Sequence, residues 1–245
     1  MDTLTTAAAS GLQSRMDAMD LLANNLANSS TSGFKADREF YSTYLAPEIS
    51  GDPNAVGESP VVQKQWTDFA QSTITPTGSS TDLALSGPGF FSVNGPNGPL
   101  YTRNGNFHLS SQGTLVSAEG YPVRLTGNQT LQVAPGAPIQ VGADGQVSQN
   151  GNVLGQLELT NFKDPSVLTK AAGAYFQNPG PQSGPSPVTN TTVQQGALES
   201  SNAAPTEAAA RMVSLLRNFE MLQRAAKIGN EMNQEAIEQV AKVGS

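Results

Sequence analysis

The sequence predicts an α+β fold: an N-terminal and a C-terminal helix forming a coiled-coil-like pair, with an inserted all-β domain between them. Two patterns carry this reading. Apolar residues recur at alternating steps of three and four at both ends, which is the spacing of a heptad seam. Between the ends, turn dipeptides punctuate short segments that alternate apolar with polar, which is the signature of hairpins.

Residues 1–30 are assigned to the N-terminal helix, with Ala9, Leu12, Met16, Met19, Ala23 and Leu26 in its seam. The helix carries Ser10, Gly11 and three asparagines, so it is marginal without a packing partner. Residues 31–75 read as an extended linker with one strand around Val61–Phe69. The β domain is placed at 76–176. Pro96-Asn97-Gly98, Asn104-Gly105, Gln112-Gly113, Glu119-Gly120, Asp144-Gly145 and Asn150-Gly151 are its turn signals. Residues 177–200 form a connector, because QNPGPQSGPSP is too rich in Pro and Gly for regular structure. Residues 201–245 form the C-terminal helix, whose seam is Ala208, Met212, Leu215, Phe219, Leu222 and Ala226, then Ala236, Val240 and Val243. Pro205 suits its first turn, and Glu207 complements the dipole there.

Composition narrows the function. Charged residues are 13% of the 245 residues, against roughly a quarter in ordinary soluble domains. The formal net charge of −7 and the absence of a Lys/Arg cluster argue against nucleic-acid binding. There is no cysteine, so thiol catalysis and disulfides are excluded. With a single histidine, a zinc site has no donor set. The opening MDTLTTAAASGLQS is not read as a secretory signal, and no run approaches the ~20 apolar residues of a membrane span.

The chemical candidates are poor. His108 is the sole histidine for a Ser-His-Asp arrangement, for example with Asp82 and one of many serines, yet in GNFHLSS the alternation puts it on the face opposite Phe107 and Leu109. SGPGFFSVNG lacks the form of a phosphate loop and precedes a strand. It reads as a turn delivering Phe90 and Phe91 into the core. Asp144-Gly145 and Asn150-Gly151 do not have EF-hand spacing. Asp17 and Asp20 lie on the outer face of the first helix. The chain therefore reads as a structural or binding protein, not an enzyme, with no cofactor.

Three motifs then become recognisable. DLLANNLANSSTSGFKA resembles the N-terminal signature of flagellar axial proteins. TDLALSGPGFFSV followed by YTRNGNFHLSSQGTLVSAEGYPV resembles the central motifs of the flagellar basal-body rod protein family. GALESSNAAPTEAAARMVSLLRNFEMLQRAAKIGNEM is similar to the C-terminal signature of the same family. They occur in the family's order. The departure is Ala203-Ala204-Pro205, where members carry a polar cap before the last helix.

The resemblance implies a structural subunit of the rod, the driveshaft between motor and hook, assembling head-to-tail into a helical array. It implies other copies of the chain and other flagellar rod proteins as partners. It also implies passage through the flagellar export apparatus without a cleavable signal, and a place in the basal body within the periplasm. The short Ser50–Thr75 region and RNFEML resemble the proximal-rod member more than the distal one. On this reading the subunit-interface residues are Leu12, Met16, Met19, Ala23 and Leu26 on one helix and Met212, Leu215, Phe219, Leu222 and Ala226 on the other. Asn24, Asn25 and Asn28 would face further subunits, because neutral amides are cheaper to desolvate than charges. A soluble coiled-coil adaptor and a secreted hydrolase are the readings from other classes.

Overall fold

The computed structural model describes residues 3–45, 58–134, 136–180 and 184–243. It is mostly β, with one helix at each end of the chain: α1 at Thr3–Ala27 and α2 at Pro205–Val243. By contacts the chain divides into two units. One holds Met1–Ala27, Asp37–Trp66 and Ala204–Ser245; the other holds Asn28–Ala36 and Thr67–Ala203.

The second unit is the β unit. Its largest sheet has six strands in the order Thr169–Ala172, Tyr175–Gln177, Gly98–Thr102, Phe90–Gly95, Leu159–Asn161 and Ser186–Pro187, each antiparallel to its neighbours. The FFSV run is buried along its length because this sheet is covered on both faces. Successive side chains point to opposite faces. Phe91 and Val93 join the main core with Leu83, Leu85, Phe107, Leu115, Val123 and Leu131. Phe90 enters a separate aromatic cluster with Tyr101, Phe162, Leu168 and Phe176, against which Phe69 packs. The rings there meet edge to face: Tyr101–Phe162 at 4.9 Å and Phe69–Phe90 at 5.6 Å, the geometry their quadrupoles favour.

Turn dipeptides place several of the hairpins, whereas Asn104-Gly105 joins Gly98–Thr102 to Phe107–Leu109, strands that pair with other partners. Asn150 and Gly151 join Gln146–Gln149 to Asn152–Gln156. Both have positive φ, 52° and 80°, as a two-residue type I′ turn requires. Pro96-Asn97 links Phe90–Gly95 to Gly98–Thr102. His108 lies exposed on Phe107–Leu109, beside the buried Phe107. Asp82 instead receives the Thr77 hydroxyl at 2.7 Å.

In the first unit, EFYSTYL lies in a strand, Asp37–Leu45, that pairs with Glu58–Thr67. The expected linker with a single strand thus holds two strands paired with each other and the start of a third, Ile74–Pro76, which pairs with Ala197–Glu199. α2 begins at Pro205, and the Ala204 carbonyl accepts its first helical bond from the Ala208 N–H at 2.9 Å. Pro205 occupies the first helical position, where its missing N–H costs nothing.

The coiled-coil-like helix pair expected from the heptads is not what the structure shows. α1 and α2 meet in one short apolar cluster of Ala18, Leu22, Ala208 and Leu215, flanked by Met19, Leu26 and Met212. Met16 and Ala23, both expected in the seam, are exposed. The buried positions of α1 run Ser14, Ala18, Leu21, Leu22 and Asn25, a stripe rotated off the heptad. The physical reason is size: two alanines lie at the contact, so the helices meet over a small patch instead of interlocking large knobs into holes. The side chains of Ala9, Ala226, Ala236, Val240 and Val243 lie outside the described residues.

Two outcomes follow for the β unit. Phe91→Ala should cost about 3–5 kcal/mol in urea unfolding, because Phe91 is fully buried. Burial and the hydrogen bond that Tyr175 donates to Glu119 push the Tyr175 hydroxyl well above its ordinary pKa of 10.0. Above that pH the unfolded chain releases a proton that the folded chain keeps, so stability falls as pH rises. Tyr175→Phe should flatten this alkaline loss, measured as Tm against pH from 9 to about 11.

Candidate functional site

The most heavily built site in the β unit is a buried cluster of charge. It forms where three distant segments meet. The first is the loop 28–36 that follows α1. Thr31 N–H closes a turn on the Asn28 carbonyl at 3.1 Å. Gly33 then takes φ +65°, and an added Cβ would collide with the backbone of Arg103 and Asn104. Only glycine permits both the left-handed turn and that approach. The Gly33 N–H donates to the Glu199 carbonyl at 2.7 Å. The turn delivers Phe34 into a small apolar cluster with Ala36 and Ala203, and it delivers Lys35 into the interior.

Lys35 and Glu199 are both fully buried. Lys35 Nζ donates to Glu199 Oε1 at 2.6 Å and to the Ala70 carbonyl at 2.7 Å. Arg103 Nη1 donates to Glu199 Oε2 at 3.3 Å, and its Nη2 to the Gly87 carbonyl at 2.8 Å. The Ser72 N–H adds a bond to Glu199 Oε1 at 2.9 Å. Both Glu199 oxygens are thus satisfied, as a buried carboxylate demands. Burial pulls the Lys35 ammonium below its ordinary pKa, and Glu199 works against that pull. The same two causes act on Arg103.

Asn202 completes the knot. Its Oδ1 accepts from the Ala36 N–H at 2.7 Å, and its Nδ2 donates to the Asp68 carbonyl at 2.7 Å. The Asp68 N–H donates to the Ala36 carbonyl at 2.9 Å. One amide side chain therefore ties together three of the four places, near 36, 68 and 202, where the chain enters or leaves the β unit. Lys170 bonds the Lys35 carbonyl at 2.7 Å and lies 4.3 Å from the Phe34 ring. This is an arrangement for holding segments in register. It offers no nucleophile and no open cleft, and among the described residues no group of three His, Cys, Asp or Glu could hold a metal.

The comparisons with known proteins divide along the same three segments. The profile described as "Flagella basal body rod protein" matches residues 6–35. "Flagellar hook protein FlgE/F/G D1 domain" matches 84–149. "Flagellar basal body rod FlgEFG protein C-terminal" matches 194–239. The chain is 33% identical to the flagellar basal-body rod protein FlgF of Caulobacter vibrioides over 231 residues, 92% of each chain. This chain belongs to the flagellar basal-body rod protein family. The rod protein FlgF of Rhizobium meliloti is 31% identical over 206 residues, 82% of this chain and 83% of its own. FlgG of Bacillus subtilis is 28% identical over 254 residues, 93% of this chain and 95% of its own. The rod-family chain is a structural subunit of the flagellar basal body. One charge of the buried cluster lies in each matched segment: Lys35, Arg103 and Glu199.

The residues expected at subunit contacts are distributed unevenly in this rod protein. Met19, Leu26, Met212 and Leu215 come together between α1 and α2. Met16, Ala23 and Asn24 are exposed; Leu12, Asn28, Phe219 and Leu222 are half-buried. Asn25 is buried, and its amide holds the backbone of Asp37, donating to the carbonyl at 2.8 Å and accepting from the N–H at 3.0 Å. The side chain of Ala226 falls outside the described residues. Sequence reasoning passed over Lys35, Arg103, Glu199 and Asn202. The available signal was one charged residue within a small or apolar run in each motif, in a chain poor in charge.

Removing Glu199 leaves two buried cations facing each other, whereas removing Lys35 leaves Arg103 to neutralise the carboxylate. Glu199→Ala should therefore cost about 3–5 kcal/mol in urea unfolding of the full chain. Lys35→Met should cost less than half as much.

Proposed function

We propose that this subunit assembles head-to-tail into the rod that carries torque from motor to hook, using the outward face of α2 as its main contact. The observation that carries the reading is the distribution of apolar residues around that helix. Ala208, Met212, Leu215, Phe219 and Leu222 lie in one arc, which meets α1 through Ala208, Met212 and Leu215. Val213, Leu216, Met221 and Ile228 lie in an arc of about 140° centred roughly opposite. They are 50%, 45%, 59% and 56% exposed. A helix apolar on both sides is one that ends up buried on both sides. Among the described residues only the side that meets α1 is covered. Copies of itself and other rod proteins supply the rest, joined on α1 by the exposed Met16, Ala23 and Asn24. Each large side chain so buried contributes about 1.5–3 kcal/mol, and many such contacts in parallel resist twisting.

On the same reading the subunit passes through the flagellar export apparatus and works in the periplasmic part of the basal body. Among the described residues no helix is long and apolar enough to cross a membrane. A proximal position is supported by the short Ser50–Thr75 region and by the lengths of the alignments. The stretch aligned with the Bacillus FlgG runs to 254 residues, longer than this 245-residue chain, so that relative carries residues absent here.

Leu216→Asp tests the contact face. It should abolish incorporation into basal bodies and motility while leaving the urea unfolding of the β unit unchanged, since Leu216 makes no part of that core. Normal motility would refute the assignment. A fixed low stoichiometry in purified complexes, with no elongation, would favour an adaptor instead.

A further inference from the structure

We propose that residues 28–36 are a latch on the β unit, closed by the cluster of Lys35, Arg103 and Glu199, and able to open while the β core stays folded.

The latch lies apart from what holds the core. The main core is built from residues between Leu83 and Val193, and none of its members lies in 28–36. The aromatic cluster likewise takes nothing from that segment. Phe34 and Ala36 pack with Ala203 in an apolar cluster of their own, with Lys170 over the Phe34 ring. Nor does the segment belong to any strand. It is held by separate bonds: Gly33 N–H to Glu199, Ala36 to Asn202 and Asp68, Lys35 to Glu199 and Ala70, and one tie to the edge strand Thr169–Ala172, from Lys170 to the Lys35 carbonyl.

Charge balance makes closure all-or-none. Lys35 and Arg103 face Glu199, and Asp68 is the further acid acting on Lys35. A lone ammonium moved into this interior would forfeit its hydration with nothing in return. The closed state exists only when Glu199 and Arg103 are already placed. Those residues lie 164 and 68 positions beyond Lys35, and 96 positions separate them. Contacts of such long span form late, because the loop they close is expensive to order before the core has fixed its ends. The latch therefore closes on a finished β unit and senses the strand Ala197–Glu199 directly. A chain whose C-terminal segment is not yet in place keeps the latch open, with Phe34 and Lys35 exposed.

Native-state hydrogen exchange on the full chain tests this with Glu199→Gln, which keeps shape and removes the charge. The amides of Gly33, Phe34 and Ala36 should exchange within tenfold of the unstructured rate. The amides of Phe91, Val93, Leu115 and Val123 should stay at least a thousandfold slower than that rate. Segment and core amides remaining within tenfold of each other, whether both protected or both lost, would overturn the latch. If Glu199→Gln does not fold, the same measurement is made on Gly33→Ala, whose Cβ would collide with the backbone of Arg103 and Asn104 and unseat the segment. Failure of both variants to fold would also overturn it, because the core would then depend on the cluster. Restoring Glu199 in the Gln variant should restore protection at Gly33, whereas Glu199→Asp, one methylene shorter, should restore it only in part.

Discussion

Everything near the chain crossings depends on one carboxylate. Glu199 has no access to water, so each of its oxygens must find a donor inside the protein. Lys35, Arg103 and the Ser72 N–H are those donors. Satisfying Glu199 fixes the end of the strand Ala197–Glu199, the loop after α1 and the segment around Arg103 against one another. The Glu199 carbonyl adds the Gly33 N–H to the same set. Apolar residues of similar volume could stabilise such a site as well, or better. What they would not impose is register, because an apolar contact tolerates sliding and a carboxylate bonded at one oxygen by Lys35 and the Ser72 N–H and at the other by Arg103 does not.

Asn202 and Asn25 extend the same logic with neutral groups. Asn202 gathers residues 36, 68 and 202 of the β unit with one amide. Asn25 does the corresponding work in the helical unit, reading both backbone groups of Asp37. An amide that donates and accepts at once can mimic a strand neighbour. That is why Asn25 sits buried in the last turns of α1, where a Lys or Glu would have to leave its charge unpaired. The asparagine-rich helix end thus has an internal use in at least one of its three residues.

The β unit is closely packed on both sides of its central sheet. Its central strand is buried on both faces, with a mixed apolar core on one side and interlocked aromatic rings on the other. Such a body is stiff, since close-packed interiors transmit strain instead of absorbing it. A rod subunit under torque needs that stiffness. On α2, by contrast, the large apolar side chains of Val213, Leu216, Met221 and Ile228 are exposed.

The hairpins were legible in the sequence because turn chemistry is local: Asn150-Gly151 dictates its turn whatever surrounds it. The helices at the two ends, the delivery of Phe90 and Phe91 into the interior and the surface position of His108 were legible for the same reason. Family membership was legible because three motifs stood in order. The tertiary structure alone decided which face of α1 is buried, since Met16 and Ala18 are both compatible with a helical stripe and only the size of the partner surface chooses between them. It also decided that Lys35, Arg103 and Glu199 meet. No local rule links residues 164 positions apart. Their pairing follows from the demand of a buried charge for a partner, and that demand appears only once the chain has folded around it.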